Sequence, residues 1–205
     1  MEILCKPAST FLAKLLMTAS LFSSLEANAN PYALEDATYK VLEPFDYYFA
    51  TRDMQPPSLV IVNNISGSVR TKCIASPDSL AYLAVSRSDG PFYCPVEHKY
   101  YLTADFMRDF LETHGPGSVS YVTAHEIAHG FQFQAGINLP PPFHEQQADC
   151  LAGAVMGMNG FTKKELSEAV SAAEDCGGGT THGKGTDRAK AVRRGFSEGF
   201  LSCLK

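Results

Sequence analysis

The stretch YVTAHEIAHGFQFQ, Tyr121 to Gln134, constrains the fold more than any other part of the chain. His125 and His129 stand four residues apart, and Glu126 directly follows the first. Residues four apart share one face of an α-helix, so a helix here aims both imidazoles at one point. Ser118 is the expected N-cap of that helix and Gly136 its expected stop.

Around this helix the pattern predicts an α+β fold, with a small N-terminal β-sheet and a mostly helical C-terminal half. Tyr32–Ala50 carries apolar residues at helical intervals, interrupted or restarted at Pro44. Pro56–Asn64 and Ser79–Ser86 read as strands, and Gly90–Leu102 as a turn feeding a third extended segment. Thr103 is the expected cap of a helix running to about Thr113. After INLPPP, Pro142 suits the first turn of a helix reaching about Met158. Thr162–Glu165 is a capping-box pattern opening a helix to about Asp175. Cys176–Gly185 reads as a glycine-rich loop, and Thr186–Ser202 as a last helix.

The 205 residues suffice for one domain with a core. A net charge of −5, without a basic cluster, argues against a nucleic-acid binder. Residues 1–29 have the order of a signal peptide: Lys6 and Lys14, an apolar run Leu15–Leu25, then Ala27-Asn28-Ala29. The run is too short to span a bilayer, which needs about 20 residues. The expectation is therefore an exported protein, periplasmic or secreted, with no stable membrane anchor after cleavage and residues 30–205 as its domain. Cys5 would leave with the signal, and Cys73, Cys94, Cys150, Cys176 and Cys203 would remain. Export favours disulfides among them. The expected pairs are Cys73–Cys94 and Cys176–Cys203 with Cys150 free, and Cys150–Cys176 is the competing pairing.

The chemistry of the opening stretch is that of a metal site. Neutral imidazoles suit zinc, and a carboxylate beside them can take a proton from an attacking water. A catalytic zinc needs a third protein ligand. Glu145, early in the next helix, is the candidate. Asp149 lies four residues on, placed to accept the free ring N–H of a ligand histidine. His144 is the rival ligand, although its position beside Glu145 turns it about 100° away. His182, in the glycine-bordered THG, is a candidate oxyanion donor; the alternative is a histidine that braces its loop. Arg188 reads as structural, pairing with an acidic side chain. Tyr100 and Tyr101 read as core, and His98 and His114 as surface histidines.

Five stretches in order resemble a bacterial family known as "putative neutral zinc metallopeptidase". They are Cys73 with GPFYCP (Gly90–Pro95), AHEIAHGFQ (Ala124–Gln132), EQQADCLAG (Glu145–Gly153), THG (Thr181–Gly183), and Arg188 with RGF (Arg194–Phe196). The resemblance implies a compact zincin with zinc on His125, His129 and Glu145, one ion per chain, and Glu126 as general base. Two positions depart from the family pattern. Gly130 stands where a third histidine is usual, and Ala191-Val192 where an aromatic pair is usual. The expectation is a zinc-dependent peptidase acting on protein or peptide outside the cytoplasm. The alternative is a non-catalytic exported module that keeps the fold for binding, against which the presence of Glu126 argues.

Overall fold

The computed structural model describes residues 33–63, 68–74 and 82–205, and within them the chain is α+β. Two helices, α1 (Ala33–Tyr39) and α2 (Leu42–Ala50), precede strands β1 (Ser58–Val62), β2 (Val69–Ile74), β3 (Tyr82–Val85), β4 (Phe92–Cys94) and β5 (Lys99–Thr103). Helices α3 (Ala104–His114), α4 (Pro116–Gln134), α5 (Phe143–Met158), α6 (Lys163–Asp175), α7 (Gly179–His182) and α8 (Gly185–Glu198) follow, and Phe200–Leu204 closes the chain as a 3₁₀ turn. The expected signal segment and the start of the expected Ser79–Ser86 strand lie outside the described residues. No helix among the described residues is long and apolar enough to cross a membrane.

The strands form two small sheets. In one, β1 runs parallel to β5 and β5 antiparallel to β4, so that β4 is an edge. The other pairs β2 with β3. The expected single segment Gly90–Leu102 is thus two strands joined by a turn, and β2 was not anticipated. A Cys73–Cys94 disulfide ties β2 to β4, as expected, and so joins the sheets. Tyr100 and Tyr101 are buried, as read from the sequence.

Helix α4 runs through the core and is buried at every position from Gly117 to Ala128. Burial there requires each polar side chain to find a partner. Ser118 Oγ donates to the Phe110 carbonyl at 2.9 Å, Ser120 Oγ to Ala37 at 2.7 Å, and Thr123 Oγ1 to Val119 at 2.9 Å. Ser118 is therefore not the N-cap. Gly115, at φ 101°, holds that place, and Pro116 occupies the first turn, where its missing N–H costs nothing. The Glu168 carboxylate accepts from the Gly117 N–H at 2.8 Å, so a negative charge from α6 meets the positive end of α4. The expected Gly136 stop is present, at φ 66° just past the helix. So is the expected capping box: Thr162 Oγ1 accepts from the Glu165 N–H and the Glu165 carboxylate from the Thr162 N–H.

Helices α5 and α8 touch backbone to backbone. A Cβ added at Gly153 would stand 2.1 Å from the Val192 carbonyl oxygen, and one at Gly195 only 1.8 Å from that of Cys150. Ala191 and Val192, on the same helix, are both buried. The closeness also corrects the second disulfide. The chain leaves α8 beside Cys150, and Cys203 bonds Cys150 rather than Cys176. In the chain-entropy model a link across 53 residues stabilises by roughly 4 kcal/mol. Alanine is intrinsically the better helix residue by roughly 0.5–1 kcal/mol. Even so, Gly195→Ala is expected to lower stability by about 1–3 kcal/mol, because the clash is with backbone that cannot rotate away. A denaturation midpoint at or above wild type would show that the two helices can separate without cost.

Candidate metal centre

Helices α4 and α5 lie side by side and bring three side chains together. His125 Nε2 and His129 Nε2 are 3.1 Å apart. Glu145 approaches His125 Nε2 at 3.3 Å and His129 Nε2 at 3.5 Å. These form the one group of three or more candidate metal ligands among the described residues. His144 is not part of it; its ring stacks on that of His129, 14° from parallel with centroids 5.1 Å apart.

Behind this group lies a buried ionic cluster. Asp149 Oδ1 is 2.8 Å from His125 Nδ1, although the contact is not aligned as a strong hydrogen bond. Arg188, fully buried, donates through Nε and Nη2 to the two Asp149 oxygens, both at 2.8 Å. Tyr121 donates its hydroxyl proton to Asp149 at 2.6 Å and accepts from Arg188 at 3.1 Å. Arg188 Nη1 also donates to the Cys176 carbonyl at 3.0 Å. Arg188 thus pairs with an acid, as expected, and that acid is the one behind the metal ligand. Burial alone would raise the Asp149 pKa, but Arg188 and then His125 outweigh it and hold it well below the usual carboxylate range.

The front of the site is different. Glu126 is 1% exposed, and neither of its oxygens has a hydrogen-bond partner among the described residues. The Tyr93 backbone N–H on the β4 edge faces it without a well-formed bond. Burial pushes the Glu126 pKa up to about 7. Glu126, His129, Glu145, His144 and His182 all line one cavity of about 520 Å³. Its other walls are mainly apolar, with Phe92, Tyr93, Phe133, Ile137 and Leu139. The loop expected to be irregular contributes α7, which carries His182 to this cavity with Thr181 Oγ1 3.2 Å from its Nδ1.

These residues fit a metal ion. Two imidazole nitrogens and a carboxylate converge on one point, and Glu145 Oε2 has no hydrogen bond among the described residues. Burial opposes a charge on His125, yet the Asp149 and Glu145 carboxylates raise its pKa to about 9. Burial and the neighbouring His125 lower that of His129 to about 3. His129 is thus held neutral, the form that ligates a metal, and two nitrogens with one carboxylate oxygen suit zinc.

Sequence reasoning assigned no role to Tyr121 or Gln132. Tyr121 lies one helical turn before His125, and Gln132 lies three residues after His129. Each spacing hinted at a shared face, but neither names a partner on α5 or α8. Gly130 packs against Pro57 and Tyr93, where an added Cβ would stand 2.8 Å from the Pro57 ring, so a larger side chain would meet that ring.

A family model described as "Putative neutral zinc metallopeptidase" matches residues 40–140, which contain His125, Glu126 and His129 and stop short of Glu145. The chain is 30% identical over 182 residues to "Uncharacterized protein YpfJ" of Escherichia coli (strain K12), covering 71% of this chain and 59% of that relative. It is 29% identical over 156 residues to "Uncharacterized protein Rv2575" of Mycobacterium tuberculosis (strain ATCC 25618 / H37Rv), covering 54% and 52% respectively. The chain thus spans between half and three-fifths of the length of these curated relatives. No solved structure matches it. The matched residues include His125, Glu126 and His129, so the first part of the site lies within what this chain shares with the family described as "Putative neutral zinc metallopeptidase".

Proposed function

We propose that this chain is an exported zinc-dependent peptidase that hydrolyses peptide bonds with Glu126 as general base. The observation that carries the reading is a buried carboxylate, without a well-formed hydrogen bond among the described residues, beside a His–His–Glu cluster, both facing one cavity. Holding a metal does not need Glu126, and leaving a carboxylate buried without a partner is costly. Its presence is explained by a proton to be moved.

His125, His129 and Glu145 would hold the zinc, with Asp149 orienting His125. When bound, zinc supplies Lewis-acid activation of water and of the peptide carbonyl. Glu126 takes the proton of the attacking water and passes it to the leaving nitrogen. Its pKa, raised by burial, suits a group that must both accept and release a proton near neutral pH. His182, at the rim, donates to the carbonyl oxygen as charge develops on it. Cleavage of residues 1–29 during export would leave Asn30 as the mature N-terminus, and the Cys73–Cys94 and Cys150–Cys203 disulfides are compatible with an oxidising compartment.

The test is casein cleavage by the purified protein. Activity is expected to vanish with a chelator and to return with stoichiometric zinc. His182→Ala is expected to lose about 100- to 1,000-fold in kcat with zinc content unchanged. Zinc bound with no cleavage of casein or of a peptide library would instead favour the non-catalytic module. An unchanged kcat in His182→Ala would remove that residue from the mechanism. Mass spectrometry of the exported protein checks the N-terminus, and an uncleaved chain would overturn the signal-peptide reading.

A further inference from the structure

We propose that Gln132 is a positioning residue that fixes the His129 tautomer and aims its Nε2 at the metal. The inference rests on zinc being held by His125, His129 and Glu145.

Gln132 is fully buried. One end of its amide is 2.8 Å from His129 Nδ1, and the other is 2.8 Å from the His144 carbonyl oxygen. A carbonyl only accepts, so the amide nitrogen must face His144. The amide oxygen then faces His129 Nδ1. An oxygen there accepts, so Nδ1 carries the proton and Nε2 keeps its lone pair. Gln147 reinforces the arrangement. Its Oε1 accepts from Gln132 Nε2 at 3.0 Å, while its Nε2 donates to the Cys203 carbonyl at 3.0 Å. That second carbonyl fixes the Gln147 amide as the first fixes that of Gln132. Two backbone carbonyls, one at the start of α5 and one in the C-terminal turn, therefore determine which nitrogen of His129 is free. Gln132 does for His129 what Asp149 does for His125, with an amide dipole in place of a charge.

The test measures zinc affinity by competition with a chromophoric chelator, and the melting temperature of the metal-free proteins. Gln132→Leu is expected to bind zinc about 10- to 100-fold more weakly, as when a group orienting a ligand is lost. Gln132→Asn, which keeps an amide but ends one methylene short of His129, is expected to weaken binding in the same direction and covers the case in which the leucine variant does not fold. Gln132→Glu keeps an acceptor toward Nδ1 but loses the donors to His144 and Gln147. It is expected to retain zinc affinity while melting at a lower temperature. This opposite movement of the two readouts separates positioning from a purely structural role. Wild-type affinity in the folded Leu or Asn variant would overturn the proposal, as would a Glu variant that binds as weakly as Asn. Wild-type protein that binds no zinc would instead overturn the metal-site reading on which it rests.

Discussion

Glu126→Gln is expected to keep one zinc ion per chain and to cleave casein about 100- to 10,000-fold more slowly, whereas Glu145→Ala is expected to lose both metal and activity. The two carboxylates sit on adjacent helices around one cavity, so the contrast is one of role. Glu145 is within 3.5 Å of both histidine nitrogens, while Glu126 is absent from that cluster. The glutamine is nearly isosteric and cannot accept the proton. A second signature follows in the metal-free protein. The folded-state pKa of Glu126 is raised from 4.5 to about 7 by burial. The folded wild type therefore holds its proton more tightly than the unfolded chain. The stability associated with that proton is fully present below about pH 4.5 and is lost as the pH rises through about 7. Glutamine has no such dependence, so above pH 7 the variant is expected to be the more stable, by of the order of 3 kcal/mol. Atomic absorption, casein assay and urea titration at pH 5 and pH 8 check the three parts. Loss of zinc from Glu126→Gln would make Glu126 a ligand, whereas full zinc occupancy in Glu145→Ala with wild-type activity would return His144 as the third ligand.

What could be read in advance divides along a physical line. Local rules carried far: the i, i+4 spacing placed His125 and His129, and the capping box at Thr162 and the stop at Gly136 came from side-chain chemistry within a few residues. Glu145 was reachable because a short connection after α4 must return its helix alongside. Contacts set by how distant helices pack were not reachable. Cys150 was read as a small apolar residue, and it is fully buried, yet it meets Cys203 because the glycines of α5 and α8 let those helices touch. The role of Gln132 depends on where the His144 carbonyl lands. Strand β2 alternates outward Arg70 and Lys72 with inward Thr71 and Cys73, a pattern too short to stand out beside its polar flanks.

Arg188 is where the largest effect on stability is expected. Its guanidinium is fully buried, holds Asp149 by two hydrogen bonds, and also bonds Tyr121 and the Cys176 carbonyl. Arg188→Ala removes all four contacts and leaves the buried Asp149 carboxylate with His125 as its one nearby cation among the described residues of the metal-free protein. Breaking a buried pair from one side typically costs about 3–5 kcal/mol, because the remaining charge stays desolvated. Arg188→Lys keeps the charge but cannot serve both Asp149 oxygens, the tyrosine and the carbonyl from one ammonium, so a loss of intermediate size is expected. Zinc should then matter more to folding than in wild type, since the ion becomes the main positive charge near Asp149. The stabilisation gained on adding zinc is therefore expected to be larger in Arg188→Ala than in wild type. Urea titrations with and without zinc measure both effects. A loss under about 1 kcal/mol in the metal-free alanine variant would mean that water reaches Asp149 and that this cluster is not the closed back wall its geometry describes.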